Sequence, residues 1–247
     1  MNKKGAKVNK AQLRDNEMCL IDFQKGKLVG EMTFDECTIE DRKRNVRNAK
    51  ETTAEREVKK CDSLDVPPPF AFTGAETVNE AAVNGALALT YELFGGPPVL
   101  DADLGLPTSS SELEAAKCQL EMLKSAGKLE KTVLKQVIKA KKRALKDEAV
   151  NSGAALGNEL LAVFSSDKKI SRAEAKLVKS AGKNCDGLEE ALDTVFPGSC
   201  GDPDLSDVED CVIAVARCQA CLKINAFDGL NLDCDQADDQ NANGSCP

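Results

Sequence analysis

The chain has 247 residues, a formal net charge of −8 and a hydrophobic fraction of 42%. Because aromatic residues make up only 4% and Trp is absent, we expect a core of Ala, Leu, Val and Ile, which suits helices better than sheets. The acidic charge argues against binding to nucleic acid or anionic lipid, which both attract Lys and Arg. The chain has no histidine, the commonest general base, and we find no other catalytic set of residues. We therefore predict a protein that is not an enzyme.

Eleven cysteines, six of them within residues 200–247, indicate an oxidising compartment and hence a secreted or surface-exposed protein. Residues 1–10 are polar and basic, and no apolar run of a secretory signal follows them. The two observations agree if the chain begins after a leader that was removed or is missing. No run approaches the roughly 20 apolar residues of a membrane helix, so we expect no membrane insertion.

The first half of the chain contains two predicted helices on either side of a linker. After a mixed segment, residues 1–37, Thr38-Ile-Glu-Asp41 predicts a helix start, and this charged helix reaches about Cys61. Residues 65–72 include three consecutive prolines and predict a stiff linker. Thr77-Val-Asn-Glu80 has the pattern of a capping box and opens an apolar helix, residues 77–94. Apolar residues nearly encircle that helix, so we expect it to form either core or an assembly surface.

The second half contains the longest predicted helix, residues 111–147, which the serines after Pro107 would cap. Further helices are predicted over residues 154–164, over 171–183 with Ser171 as the cap, and over 208–224 with Ser206 as the cap. After residue 225 the chain is polar and irregular, and we expect its cysteines to pin it to the body.

A faint internal repeat predicts part of the cysteine pairing. Cys61 and Cys185 each follow a charged helix and precede an Asp-x-Leu-acid segment. The second copy lacks counterparts of both Cys19 and Cys37, so we expect these two to bond each other. The same alignment pairs Cys118 with Cys185 and leaves Cys61 as a free thiol or a link between subunits. Three more bridges, whose pairing the sequence leaves open, are expected among Cys200, Cys211, Cys218, Cys221, Cys234 and Cys246.

These signals divide the chain into four segments. Residues 1–66 form a truncated first helical repeat, and residues 67–107 contain the proline-rich linker and the apolar helix. Residues 108–199 form the second helical repeat, and residues 200–247 form a cysteine-rich C-terminal module. The predicted fold class is all-α, a disulfide-stapled helical bundle with an irregular cysteine-rich C-terminal tail.

The tail also contains a candidate calcium site. Oxygen-bearing side chains occupy the first, third and fifth positions of a segment starting at Asp239, and glycine occupies the sixth, as at the opening of an EF-hand loop. The acidic residue due at the twelfth position is missing, and an earlier aspartate would have to replace it. The alternative is a solvated tail whose Asn and Gly residues form turns. The candidate ligands are Asp233, Asp235, Asp239, Asn241 and Asn243.

The pattern Cys211-Val-Ile-Ala-Val-Ala-Arg-Cys218-Gln-Ala-Cys221, followed by Asp233-Cys-Asp235 and by Asn-Gly-Ser-Cys246, is distinctive. It resembles the C-terminus of a group of cysteine-rich secreted proteins predicted in deltaproteobacteria and related environmental bacteria. That group has no assigned activity. The resemblance implies export and disulfide bonds, and it carries over no catalytic residue. The chain departs from the group, which is usually rich in cysteine in this part, in having no cysteine between Cys118 and Cys185.

Together these observations predict an exported, non-enzymatic structural protein. We expect a homo-oligomer or polymer that forms part of an extracellular filament, sheath or surface layer. The alternative is a monomeric extracellular binding module whose tail is ordered by calcium.

Overall fold

A computed structural model of the chain describes residues 1–28, 32–61, 68–96, 110–146, 150–188, 192–239, 241 and 243–246. Within these ranges the secondary structure is helical and contains no strand, which confirms the predicted disulfide-stapled all-α class. The helices are α1 Asn2–Gln24, α2 Phe34–Glu40, α3 Asn45–Lys60, α4 Ala75–Phe94, α5 Ser110–Ala144, α6 Gly153–Ser166, α7 Lys168–Asn184, α8 Leu192–Val195, α9 Leu205–Asp228 and α10 Cys234–Asp238. None of these helices is long and apolar enough to span a bilayer.

Four long helices form the centre of the molecule. α1 packs against α4 and α5, and α9 packs against the same two helices, so α1 and α9 lie diagonally opposite each other. α3 flanks α1 and α4, whereas α7 flanks α5 and α9. Helices α1, α2, α3 and α4 thus pack against one another in the same pattern as α5, α6, α7 and α9. Such an arrangement is what a duplicated module would produce, although the repeat itself stays a prediction.

One cluster of buried apolar side chains joins all four predicted segments. Leu20, Leu89, Leu123 and Phe227, one from each segment, are all fully buried within it. Burying each such side chain contributes about 1.5–3 kcal/mol to folding, so the segments stabilise one another. The four segments therefore share a single core.

The apolar helix α4 is part of this core. Its apolar residues are buried or half-buried, and its exposed residues are polar: Glu76, Thr77, Glu80 and Asn84. α1 approaches α4 closely at Gly5, where an added Cβ would lie 2.6 Å from Val78 Cγ1. Half-buried Val83 and Leu87 of α4 and exposed Ile39 of α2 line a groove at the surface, and a role of α4 in assembly stays a prediction.

The N-terminal helix α1 was missed by the sequence prediction because its buried face is polar. Asn9 Nδ2 donates a hydrogen bond to Glu130 Oε2 at 3.1 Å, and Asn16 Nδ2 donates to Thr90 Oγ1 at 2.8 Å. A buried polar group is tolerated only when it finds such a partner. Since these partners lie 121 and 74 residues away, an apolar periodicity could not reveal the helix.

Two predicted helix starts are wrong in the first half of the chain. The capping box is formed by Thr33 and Glu36, which start α2 upstream of the predicted start at Thr38. The chain then turns through Asp41 and Arg44, whose φ angles of 49° and 56° are left-handed, before α3 begins. The predicted single helix is thus split into two. α4 begins after Gly74, two residues before the predicted start.

Aspartates replace the predicted serine caps in the second half. Asp167 Oδ1 accepts a hydrogen bond from Lys169 N, and Asp204 Oδ1 accepts one from Ser206 N, both by the usual N-cap geometry. Ser171 and Ser206 therefore lie inside α7 and α9. α9 also continues to Asp228, beyond the predicted end, and the tail contains the further short helix α10. The predicted linker at residues 65–67 and the predicted cap at residues 107–109 lie outside the described residues.

Candidate functional site

Five disulfides staple the fold. Cys19–Cys37 joins α1 to α2, and Cys118–Cys185 joins α5 to the end of α7, which are the two pairings that the repeat alignment predicts. The pairing that the sequence left open among the last six cysteines is Cys200–Cys211, Cys218–Cys246 and Cys221–Cys234. The last two bridges fasten the tail to successive turns of α9.

Cys61 is the one cysteine of the eleven without a disulfide. It is half-buried and stands directly after α3, as Cys185 stands directly after α7. Its thiol is thus placed as the repeat alignment predicts. Its role as a link between subunits stays a prediction.

Buried Arg217 supplements the two tail bridges. Its Nε donates to Ala237 O at 2.9 Å, which holds α10 against α9. Its Nη2 donates to Phe164 O at 3.0 Å, and its Nη1 forms an ion pair with Glu174 Oε1 at 3.1 Å. One side chain of α9 therefore joins α6, α7 and α10, and the tail is part of the folded body.

The carboxylates proposed as calcium ligands accept hydrogen bonds from the tail itself. Asp235 Oδ2 accepts from Gly244 N at 2.9 Å, and this bond holds the pKa of Asp235 below its usual range. Asp239 Oδ1 accepts from Asn241 N at 2.7 Å, which likewise lowers the pKa of Asp239. Asp233 takes no part in these contacts and instead caps α10.

Asn243 also forms hydrogen bonds within the tail. Its Nδ2 donates to Asp239 Oδ2 at 2.8 Å, and its Oδ1 accepts from Ser245 N at 3.0 Å. Across the residues that the structure describes, no three Cys, Asp or Glu side chains converge as a metal-binding group. Disulfides and internal hydrogen bonds account for the order of the tail, and calcium binding stays a prediction.

The surface of the C-terminal module is acidic. Residues 200–247 contain ten Asp and Glu but only two Lys and Arg, so their net charge of −8 equals that of the whole chain. Both cations, Arg217 and Lys223, are buried, so no cation faces solvent in the described part of the module. A groove of about 740 Å³ runs along α9, and its lining includes the acidic residues Glu92, Asp210, Asp238 and Asp239.

Lys223 ties this module to the rest of the core. It is fully buried and forms an ion pair with buried Glu130 of α5, and its Nζ also donates to Gln219 O at 3.3 Å. Burial lowers the pKa of Lys223, and the carboxylate of Glu130 opposes that shift. Gly85 of α4 leaves the space that the lysine occupies, because a Cβ there would overlap its side chain. The sequence analysis did not predict this pair, because its two residues lie 93 positions apart in the chain.

A second ion pair secures the end of α9. Lys141 Nζ lies 2.6 Å from Asp228 Oδ1, and Asn2 Nδ2 donates to Asp228 Oδ2 at 2.9 Å. Burial raises the pKa of Asp228, although Lys141 partly offsets the effect. These contacts bring the first residues of α1 and the last turn of α9 together.

Comparisons with protein-family models, with curated proteins and with solved structures find no match in any of the three. The function therefore has to be inferred from the residues and their arrangement.

Proposed function

We propose that this chain is an exported, non-enzymatic structural protein whose copies associate head to tail in an extracellular filament, sheath or surface layer. The observation that carries the proposal is the separation of charge along the chain. Residues 200–247 have a net charge of −8, whereas residues 1–199 contain 31 acidic and 31 basic residues and are neutral overall. The acidic module is thus attached to a body that has as many cations as anions.

Charge separation of this kind favours contacts between unlike surfaces of identical copies. Complementary potentials steer encounters and fix the orientation of the partners. A contact between two different surfaces of one chain is heterologous, and it produces an open filament unless the rotation between copies closes a ring. A contact of this kind whose rotation does not close a ring produces the proposed head-to-tail polymer.

The disulfides support the extracellular part of the proposal. Five bridges are typical of a protein that folds in an oxidising compartment. Each adds about 2–4 kcal/mol of stability, which suits a protein that must persist outside the cell. The resemblance of the C-terminal pattern to cysteine-rich secreted proteins points the same way. Cys61 is free in the single chain, and it is the thiol through which associated copies would later form a covalent link.

Sedimentation velocity of the oxidised protein tests the proposal. At about 0.01 M salt the Debye length is about 30 Å, and at about 1 M it is about 3 Å. We expect species larger than the 26.4 kDa chain at low salt and the monomer at high salt. A Cys61→Ser variant separates electrostatic association from covalent linkage, since it leaves the former intact. A monomer under both conditions would contradict head-to-tail association.

A further inference from the structure

We propose that a groove between α5 and α7 receives the acidic C-terminal module of the next copy. This inference rests on the proposed head-to-tail association and names the surface on which it occurs. We call this surface the basic groove and define it by Lys128, Lys131, Lys135, Lys169, Arg172 and Lys176.

The fold brings two rows of cations together to form the basic groove. The rows are spaced i, i+3, i+7 on both helices, so each row lies on one helix face and is about 10 Å long. The bridge between Cys118, near the start of α5, and Cys185, after the end of α7, shows that the helices run antiparallel. The rows therefore face each other across a groove of about 630 Å³, and Ala173 and Leu177 belong to its lining.

The charges of the basic groove face solvent. All six cations are exposed, and none of them forms an ion pair within the described ranges. Burial raises the pKa of Glu17 of α1, and the charges of Lys124 and Lys128 oppose that shift. Glu174 of α7 is engaged by Arg217. The groove thus presents an uncompensated positive surface on a protein whose overall charge is negative.

Further exposed cations extend this surface along the same helices. On α5 and α7 they continue the spacing of the two rows, and on α1, which packs against α5, they form another stripe. Because these charges lie on neighbouring helices, we infer a continuous basic face that would strengthen attraction to an acidic partner. The additional exposed cations are Lys139, Lys142, Lys179, Lys183, Lys3, Lys7, Lys10 and Arg14.

The same chain carries the complementary surface. Asp204, Asp207 and Asp210 are exposed at the start of α9, and their three-residue spacing matches the first step of each cation row. The bridge Cys200–Cys211 and the hydrogen bond from Cys200 N to Glu92 O hold this segment in place at the end of α4. A rigid acidic segment needs no ordering when it docks, which favours association. A second copy is therefore the occupant that the charges of this molecule favour.

Two charge-reversal variants test the pairing of these surfaces. The groove variant combines Lys131→Glu with Arg172→Glu, and the module variant combines Asp207→Lys with Asp210→Lys. The N-cap Asp204 is left unchanged so that α9 keeps its start. By sedimentation velocity at low salt, we expect each variant alone to associate at least about tenfold more weakly than the native chain, because like charges then face each other.

Mixing the two variants provides the decisive observation. In an equimolar mixture the acidic module of the groove variant meets the basic groove of the module variant, and the two exchanged surfaces also carry opposite charges, so the mixture should form assemblies in which the variants alternate. A chain with all four substitutions should associate again, since the charges have been exchanged. Lys27→Glu combined with Lys60→Glu is the matched control for the groove variant. It lowers the net charge by as much as the groove variant does, but at exposed sites outside the groove. This control should associate as the native chain does.

The outcomes separate the groove from the proposed function. If the native chain associates in a salt-sensitive way and the groove variant associates equally well, another surface is used and the groove proposal is wrong. If the native chain stays monomeric, head-to-tail association fails and the groove proposal fails with it. In that case, binding of dextran sulfate by the native chain but not by the groove variant would assign the groove to a polyanion instead of a second copy.

Discussion

The Cys118–Cys185 bridge should contribute more stability than any other disulfide, because it closes the longest loop. Its two cysteines are 67 residues apart, whereas Cys200 and Cys211 are 11 residues apart. A disulfide stabilises the fold by restricting the unfolded chain, and this effect grows with loop length. Removing the long bridge should therefore lower the free energy of unfolding by about 4.4 kcal/mol, and removing the short one should lower it by about 2.8 kcal/mol. The difference of about 1.6 kcal/mol is the firmer quantity, since contributions common to both bridges cancel.

Replacing both cysteines of one bridge by alanine removes that bridge alone. The two loops do not overlap in sequence, so each variant can be compared directly with the native chain. A Cys61→Ser background in all proteins prevents exchange between the free thiol and the remaining bridges. The assay is guanidinium unfolding of the oxidised proteins, followed by circular dichroism, with the free energy extrapolated to water.

Loss of packing acts in the same direction, since Cys118 and Cys185 are fully buried and Cys211 is only half-buried. The long-loop variant should therefore be the less stable of the two by at least the calculated difference. Equal costs, or a larger cost for the short loop, would refute the reasoning that these bridges act mainly by restricting the unfolded chain.

Four further predictions concern charges and thiols. Lys223→Met should lower the free energy of unfolding by about 3–5 kcal/mol because it leaves the charge of Glu130 buried and unpaired, and adding Glu130→Gln, which removes the charge and keeps an acceptor for Asn9, should restore most of the loss; no recovery would contradict this. Burial raises the pKa of Asp15 to about 6, so stability should fall as pH rises from about 4 to about 6, and Asp15→Asn should remove that slope and add up to about 3 kcal/mol at pH 7; an unchanged slope would assign it to another group. Alkylation before reduction should label one thiol per chain, which peptide mapping should place at Cys61; three labels would mean an open bridge. If calcium binds the tail as predicted, it should raise the unfolding free energy more than magnesium does, and an equal response to the two ions would contradict the predicted site.

The sequence was sufficient for the parts of the fold that follow from local pattern. The apolar runs of α4, α5 and α9 predicted their helices, and the matched absence of two cysteines in the second copy predicted the Cys19–Cys37 bridge. Helix α1 was not predicted, because residues such as Asn16 bury amide groups against partners far along the chain. Its helical character depends on tertiary contacts that no local pattern encodes.

The charged contacts were also beyond local reasoning. Lys131 and Arg172 are both visible in the sequence at regular spacing, yet only the antiparallel packing of α5 and α7 brings their rows together. The net charge of −8 gives no sign of the basic groove, because a sum over the whole chain hides a local excess of cations. Lys223 was hidden for the opposite reason, since it is a charged residue that the fold buries and pairs with Glu130.

Static light scattering of the oxidised native chain over a range of concentrations at low salt tests head-to-tail association most directly. Open association predicts a mean molar mass that rises continuously from 26.4 kDa without reaching a plateau, and that returns to 26.4 kDa at high salt. A mass that stays at 26.4 kDa at every concentration would contradict self-association. A plateau at a small multiple of that mass would show a closed oligomer and would exclude the open polymer.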